Sequence, residues 1–208
     1  MRAARVRTPL WARVAAAVVV LVPCTLWVAD WHDRKVNEHR LAVIASEIAG
    51  RDVDVKCPGW IASIGPDTVA GDVQIDAEGR PADETTLRKQ PCAELDALAE
   101  GRRADQLACV ERSTSCGDEA QSLADAVDTI THESFHLKGI TNEAATECYA
   151  MQTMAWTATQ LGATEAQGRA LATLHYETSY PLMPDQYRST ACADGGALDL
   201  HSRDPRFP

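Results

Sequence analysis

Apolar positions in this chain change their period along its length. After Arg2, Arg5, Arg7 and Arg13, residues 14–29 (VAAAVVVLVPCTLWVA) are almost unbroken apolar. From 33 to 49 (DRKVNEHRLAVIASEIA) the spacing becomes helical, with Gly50 as the stop. Residues 52–55 alternate like a short strand before Cys57-Pro58-Gly59, and 71–77 (GDVQIDA) predict a second strand, closed by Glu78-Gly79. Pro91 suits the first turn of a short helix reaching Ala99. The polar stretch 101–117, with two cysteines, reads as a disulfide-held connection. The strongest helical signal follows over 118–138, where Leu123, Val127, Ile130 and Leu137 share one stripe and Gly139 supplies the stop. Thr141 or Asn142 can cap a helix over 143–161, stopped by Gly162, and Thr164 with Gln167 forms a capping-box pattern for another over 165–178. Pro181 and Pro184 end regular structure, and the tail from Ala193 reads as irregular. The pattern predicts a mainly α (α+β) domain with a small β element.

A basic head before an apolar run is the pattern of an export signal or a signal anchor. The exit reads Leu26-Trp27-Val28-Ala29, which puts a bulky residue where a cleaved signal wants a small one. Pro23 before Cys24 argues against lipid attachment at that cysteine. Residues 1–31 are therefore expected to be a basic region and transmembrane signal anchor, with a cleaved signal peptide as the alternative. Trp27 and Trp31 suit the outer membrane interface. Residues 32–208 are expected to form one domain on the extracytoplasmic side of the cell membrane, or a secreted domain if the signal is cleaved.

Cysteine usage fits that compartment. Setting Cys24 aside, Cys57, Cys92, Cys109, Cys116, Cys148 and Cys192 remain, an even number that suggests disulfides. Six cysteines allow fifteen connectivities. The expected pairing closes a small loop with Cys109 and Cys116, staples the tail with Cys148 and Cys192, and leaves Cys57 with Cys92. The formal charge of −10 argues against a nucleic-acid partner, since phosphate backbones require clustered Lys and Arg.

The segment that carries chemistry is His132-Glu133-Ser134-Phe135-His136, an HExxH. Two histidines four apart on a helix lie one turn apart on the same face, so both imidazoles can reach one metal ion. Glu133 is then close enough to serve as a general base toward water at that metal. At about 100° per residue, the histidines lie roughly 180° to 220° around from Leu123, away from the apolar stripe. Glu143 and Glu147 open the next helix on a face that continues with Ala150, Met154 and Leu161. Carboxylates so placed need partners, which a metal and a histidine N–H would supply. The plain alternative is that they complement the helix dipole.

HExxH followed by Asn-Glu-x-x-Thr-Glu (142–147) resembles the thermolysin-type zincin pattern. The resemblance implies a helical zincin-like core, with the HExxH helix packed on a second, Glu-bearing helix. It also implies Zn2+ held by His132, His136 and Glu143, with Glu147 hydrogen-bonded to a ligand histidine. The spacing departs from that family, because only six residues separate His136 from Glu143. HExxHxxG, ending at Gly139, resembles instead the tight turn of metzincins, where the third ligand would fall on Asn142. Glu143 leads Glu147 and Asn142 as the third ligand. The stretch 132–152 and the tail YRSTACADGGALDL are also similar to an uncharacterised group of bacterial exported proteins.

A transition-state stabiliser is expected beyond the second helix, with Tyr180 and His175 ahead of Tyr176 and His201. The expected function is a zinc-dependent peptidase working outside the cytoplasm by metal-activated water attack on an amide bond of a peptide or protein. A zinc amidase acting on wall peptides would share that chemistry. The rival reading is a non-catalytic exported binding or structural domain with a structural or vestigial metal site.

Overall fold

A computed structural model describes the backbone of residues 10–59, 70–113, 115–201 and 207, with side chains described for Val28 and from residue 30 onward. The chain divides into two compact units, Met1–Val36 and Asn37–Pro208. The boundary expected at 31/32 lies inside a helix, α1 (Leu10–Ala49). The basic head and nearly all of the apolar run expected to form an anchor fall outside the described side chains. Among the described residues, no helix is long and apolar enough to cross a membrane.

In the second unit, Leu41, Ile44, Ala45 and Ile48 of α1 are buried at helical spacing and anchor it to the core. Gly50, at φ 74°, ends the helix in a conformation that a side chain would disfavour. Three short strands follow: β1 (Asp54–Lys56), β2 (Gly71–Ile75) and β3 (Pro81–Leu87). The sheet order is β1-β3-β2, with β1 parallel and β2 antiparallel to β3. This leaves β2 on an edge. Its register is irregular between Val73 and Ile75.

The central strand β3 was not foreseen. Its sequence, PADETTL, buries only Thr85 and Leu87, too few positions to show a period of two. Pairing on both sides is what makes it a strand. The stretch 101–117 also departs from expectation, because it contains a helix, α3 (Ala104–Val110), after α2 (Lys89–Ala99). No side-chain cap announces α3. It is held by the burial of Leu107 and Val110 and by the disulfide from Cys109 to Cys116.

Three long helices complete the unit: α4 (Gly117–Leu137), α5 (Glu143–Gln160) and α6 (Glu165–Thr178). Leu123, Val127, Ile130 and Leu137 are all fully buried, as their stripe predicted. Every residue from 130 to 137 is buried, because α2, α5, α6 and the sheet surround the end of α4. The α5–α6 crossing is close at Gly168, where a Cβ would lie 2.6 Å from the Ala155 carbonyl oxygen. Two 3-10 turns, Tyr180–Leu182 and Asp185–Tyr187, follow α6. Disulfides join Cys57 to Cys92, Cys109 to Cys116 and Cys148 to Cys192, the pairing read from the sequence. The fold is thus mainly helical, with a small sheet and three staples.

Candidate metal centre

The histidines of α4 stand one turn apart, with His132 Nε2 3.0 Å from His136 Nε2. Glu143 Oε2 completes a triangle, 3.2 Å from the first nitrogen and 3.3 Å from the second. The turn between the helices explains how so short a connection achieves this. Gly139, at φ 100°, donates its N–H to the His136 carbonyl, and Ile140 N–H reaches back to Phe135 O. That is the Schellman closure, which reverses the chain sharply. Asn142 then caps α5 by accepting from the Ala145 N–H at 2.9 Å. Asn142 is thus engaged by the backbone, and Glu143 begins the helix facing the imidazoles.

The distal nitrogens decide what the triangle can hold. His136 Nδ1 lies 2.7 Å from the Ile140 carbonyl, a group that only accepts, so this nitrogen carries the proton. His132 Nδ1 lies 2.8 Å from Glu147 Oε2, a carboxylate that likewise accepts. In the neutral rings both Nε2 atoms therefore present lone pairs toward each other and toward a carboxylate oxygen. Three such donors at this separation repel unless a cation or a proton lies among them. Burial alone would lower the pKa of His132, but hydrogen bonding to Glu143 and Glu147 outweighs it and raises the value to about 10. Hydrogen bonding to His132 in turn holds Glu143 below the usual carboxylate range.

The arrangement suits zinc. Ligands about 2.0–2.1 Å from a tetrahedral ion lie about 3.4 Å apart, close to the triangle's edges. A carboxylate and two imidazoles, each imidazole fixed by a hydrogen bond at its far nitrogen, form a donor set typical of that ion. These three residues form one of two groups among the described residues with ligand atoms close enough to hold a metal. The other, Asp128, His132 and Glu147, shares His132 and lies fully in the interior.

Glu133 points elsewhere on α4, and β2 lies directly against it. A Cβ on Gly71 would come within 2.5 Å of Glu133 Cγ and 2.6 Å of Oε1, so any side chain there would have to displace Glu133 or the strand. Glu133 Oε2 is buried with no hydrogen-bond partner. Burial pushes this carboxyl up to about 7, aided by the negative charge of Asp72. A small cleft of about 120 Å³ opens over the cluster, with Gly71, Asp72, Val73 and Ile75 of β2 on one wall and Tyr187 on another.

Tyr187, on the second 3-10 turn, escaped the sequence reading. Its ring lies 5.8 Å from that of His132, and burial together with the charge of Glu143 raises its phenol pKa. The two residues favoured for that position lie elsewhere. Tyr180 stacks on Tyr176, and its hydroxyl exchanges hydrogen bonds with the Ser189 backbone. His175 lies behind the cluster, 3.0 Å from Glu147 Oε1. His201 lines a separate apolar cleft with Phe135 and Trp156. No local pattern marks Tyr187, because its place depends on how the chain after α6 returns over α5.

No protein-family model matches this chain, and no curated protein or solved structure is recognisably similar to it.

Proposed function

We propose that this protein is a zinc-dependent peptidase with a zincin-like core, in which His132, His136 and Glu143 hold the ion. The observation that carries the proposal is the triangle of two Nε2 atoms and one carboxylate oxygen, at 3.0, 3.2 and 3.3 Å. Three protein ligands beside an open cleft match a catalytic site, whereas structural zinc sites are closed by a fourth protein ligand. When bound, zinc supplies Lewis acidity and lowers the pKa of water at the site.

The remaining chemistry belongs to the chain. Glu133, buried and with a pKa near 7, is suited to take a proton from water and return it to a leaving amine. Tyr187 keeps its phenolic proton at neutral pH, so it can donate a hydrogen bond to the oxygen of a substrate carbonyl as charge develops there. Among the described residues, β2 pairs only with β3, which leaves its other edge beside the cluster. An extended peptide could add there as a further strand, its amide carried past Glu133. The cleft is too small to enclose a large ligand, which favours an extended chain lying along the edge.

Metal analysis of the purified chain, paired with assays on a mixed peptide library, tests this. The expected result is one equivalent of zinc, lost in His132→Ala, with cleavage that depends on it. Glu133→Gln should keep zinc and lose turnover. A wild-type chain that takes up no zinc, or that binds it and cleaves no peptide, would count against the proposal.

A further inference from the structure

Behind the triangle a line of hydrogen bonds runs through the interior. Glu147, fully buried, accepts from His132 through Oε2 at 2.8 Å and from His175 Nε2 through Oε1 at 3.0 Å. His175 Nδ1, on α6, in turn donates to Asp125 Oδ1 at 2.9 Å. Asp125 also accepts from Ser179 Oγ at 2.6 Å and from Gln121 Nε2 at 3.0 Å, and it reaches the surface. Asp128 Oδ2 stands 3.7 Å from His175 Nε2.

Both nitrogens of His175 face carboxylate oxygens, and these hold the imidazole's pKa well above its usual value against the effect of burial. Glu147 meets a histidine nitrogen at each oxygen, and hydrogen bonding to His132 and His175 holds its pKa below the usual carboxylate value although no part of it meets solvent. An isolated carboxylate in such a place would instead take up a proton. Burial and the charge of Glu147 push the Asp128 carboxyl up to about 7.

We infer that His175, oriented by Asp125, is a positioning residue that holds the Glu147 carboxylate in place and thereby fixes His132 with its Nε2 turned toward the metal. The inference rests on the proposed metal centre and extends it to a helix that supplies no ligand. Loss of a group that orients a metal ligand usually weakens metal binding by about 10–100-fold. His175→Gln can still donate one hydrogen bond to Glu147 but brings no charge.

The test is zinc affinity, measured by chelator competition on the full chain, with circular dichroism to establish folding. His175→Gln is expected to bind zinc about 10–100-fold more weakly than wild type. Asp125→Asn, near the surface, should fold normally and lose about 3–10-fold, a smaller share because the ring keeps an acceptor. Imidazole nitrogen spectra of the metal-free chain should show both His175 nitrogens protonated at pH 7, a signature that a purely space-filling role would not give. Wild-type affinity in folded His175→Gln, or in Asp125→Asn should the first variant not fold, would overturn the inference. So would a singly protonated His175. A wild-type chain without zinc affinity would instead remove the metal centre itself.

Discussion

Gly71 lies against the carboxylate of Glu133, although the two are far apart in sequence and on different kinds of element. A methyl group at 71 would overlap Glu133 Cγ, Cδ and Oε1, all within 2.7 Å. Gly71→Ala must therefore push either the edge strand or the carboxylate aside. Forced overpacking of this kind costs about 1–3 kcal/mol. The expected outcome is lost turnover with zinc retained, read by peptide assay and metal analysis on the same preparation. Full activity in Gly71→Ala would mean that the placement of Glu133 under β2 does not matter.

Glu133 also makes stability depend on pH. Its pKa rises from 4.5 to about 7 on folding, so the folded state binds the proton more tightly than the unfolded chain. Its contribution is most favourable below pH 4.5 and is lost as pH rises through about 7. A shift of that size corresponds to no more than about 3 kcal/mol. Glu133→Gln carries no such charge. In the metal-free protein it should be more stable than wild type at pH 8, with a gap that closes toward pH 4.5. Urea melts at the two pH values provide the measurement, and a gap independent of pH would rule out this account.

Tyr187→Phe removes one hydroxyl at the wall of the cleft. If that group stabilises developing charge, kcat should fall by about 10²-fold while KM changes little. Zinc content should stay at wild-type level, since Tyr187 supplies no ligand to the triangle. A rise in KM with kcat unchanged would assign Tyr187 to substrate binding instead.

Arg51 clamps the end of the HExxH helix. Its guanidinium donates to the Leu137 carbonyl at 3.0 and 3.3 Å and to the Ala82 carbonyl at 2.8 Å, and it pairs with Asp83. It thereby joins the C-terminus of α4 to β3. Arg51→Ala should lower stability by about 1–2 kcal/mol, less than a fully buried charged group would cost because Arg51 is partly solvated. Thermal melts check this. An unchanged melting temperature would show that the clamp contributes little.

The Cys148–Cys192 disulfide ties the tail to α5 one residue from Glu147. Replacing both cysteines by alanine should cost about 2–4 kcal/mol. It should also free the Leu198 carbonyl from Gln152, whose Nε2 donates to it at 3.0 Å. Denaturant melts read the first effect and proteolysis of the tail reads the second. A tail that stays protected would show that Gln152 suffices.

What the chain's own pattern determined was local. The α4 stripe, the pairing of His132 with His136 one turn apart and the caps of α5 and α6 are consequences of helical geometry over a few residues, so they are legible in order along the sequence. The roles of Glu143 and Glu147 were not separable that way, because residues four apart share a face. Only the Schellman turn at Gly139 places Glu143 at the Nε2 atoms and leaves Glu147 at Nδ1 of His132. Gly71, Tyr187 and His175 each reach the cluster from a distant segment, and β3 becomes a strand only through its neighbours. Such contacts are chosen by packing and hydrogen bonding across the whole domain, and local periodicity holds no record of them.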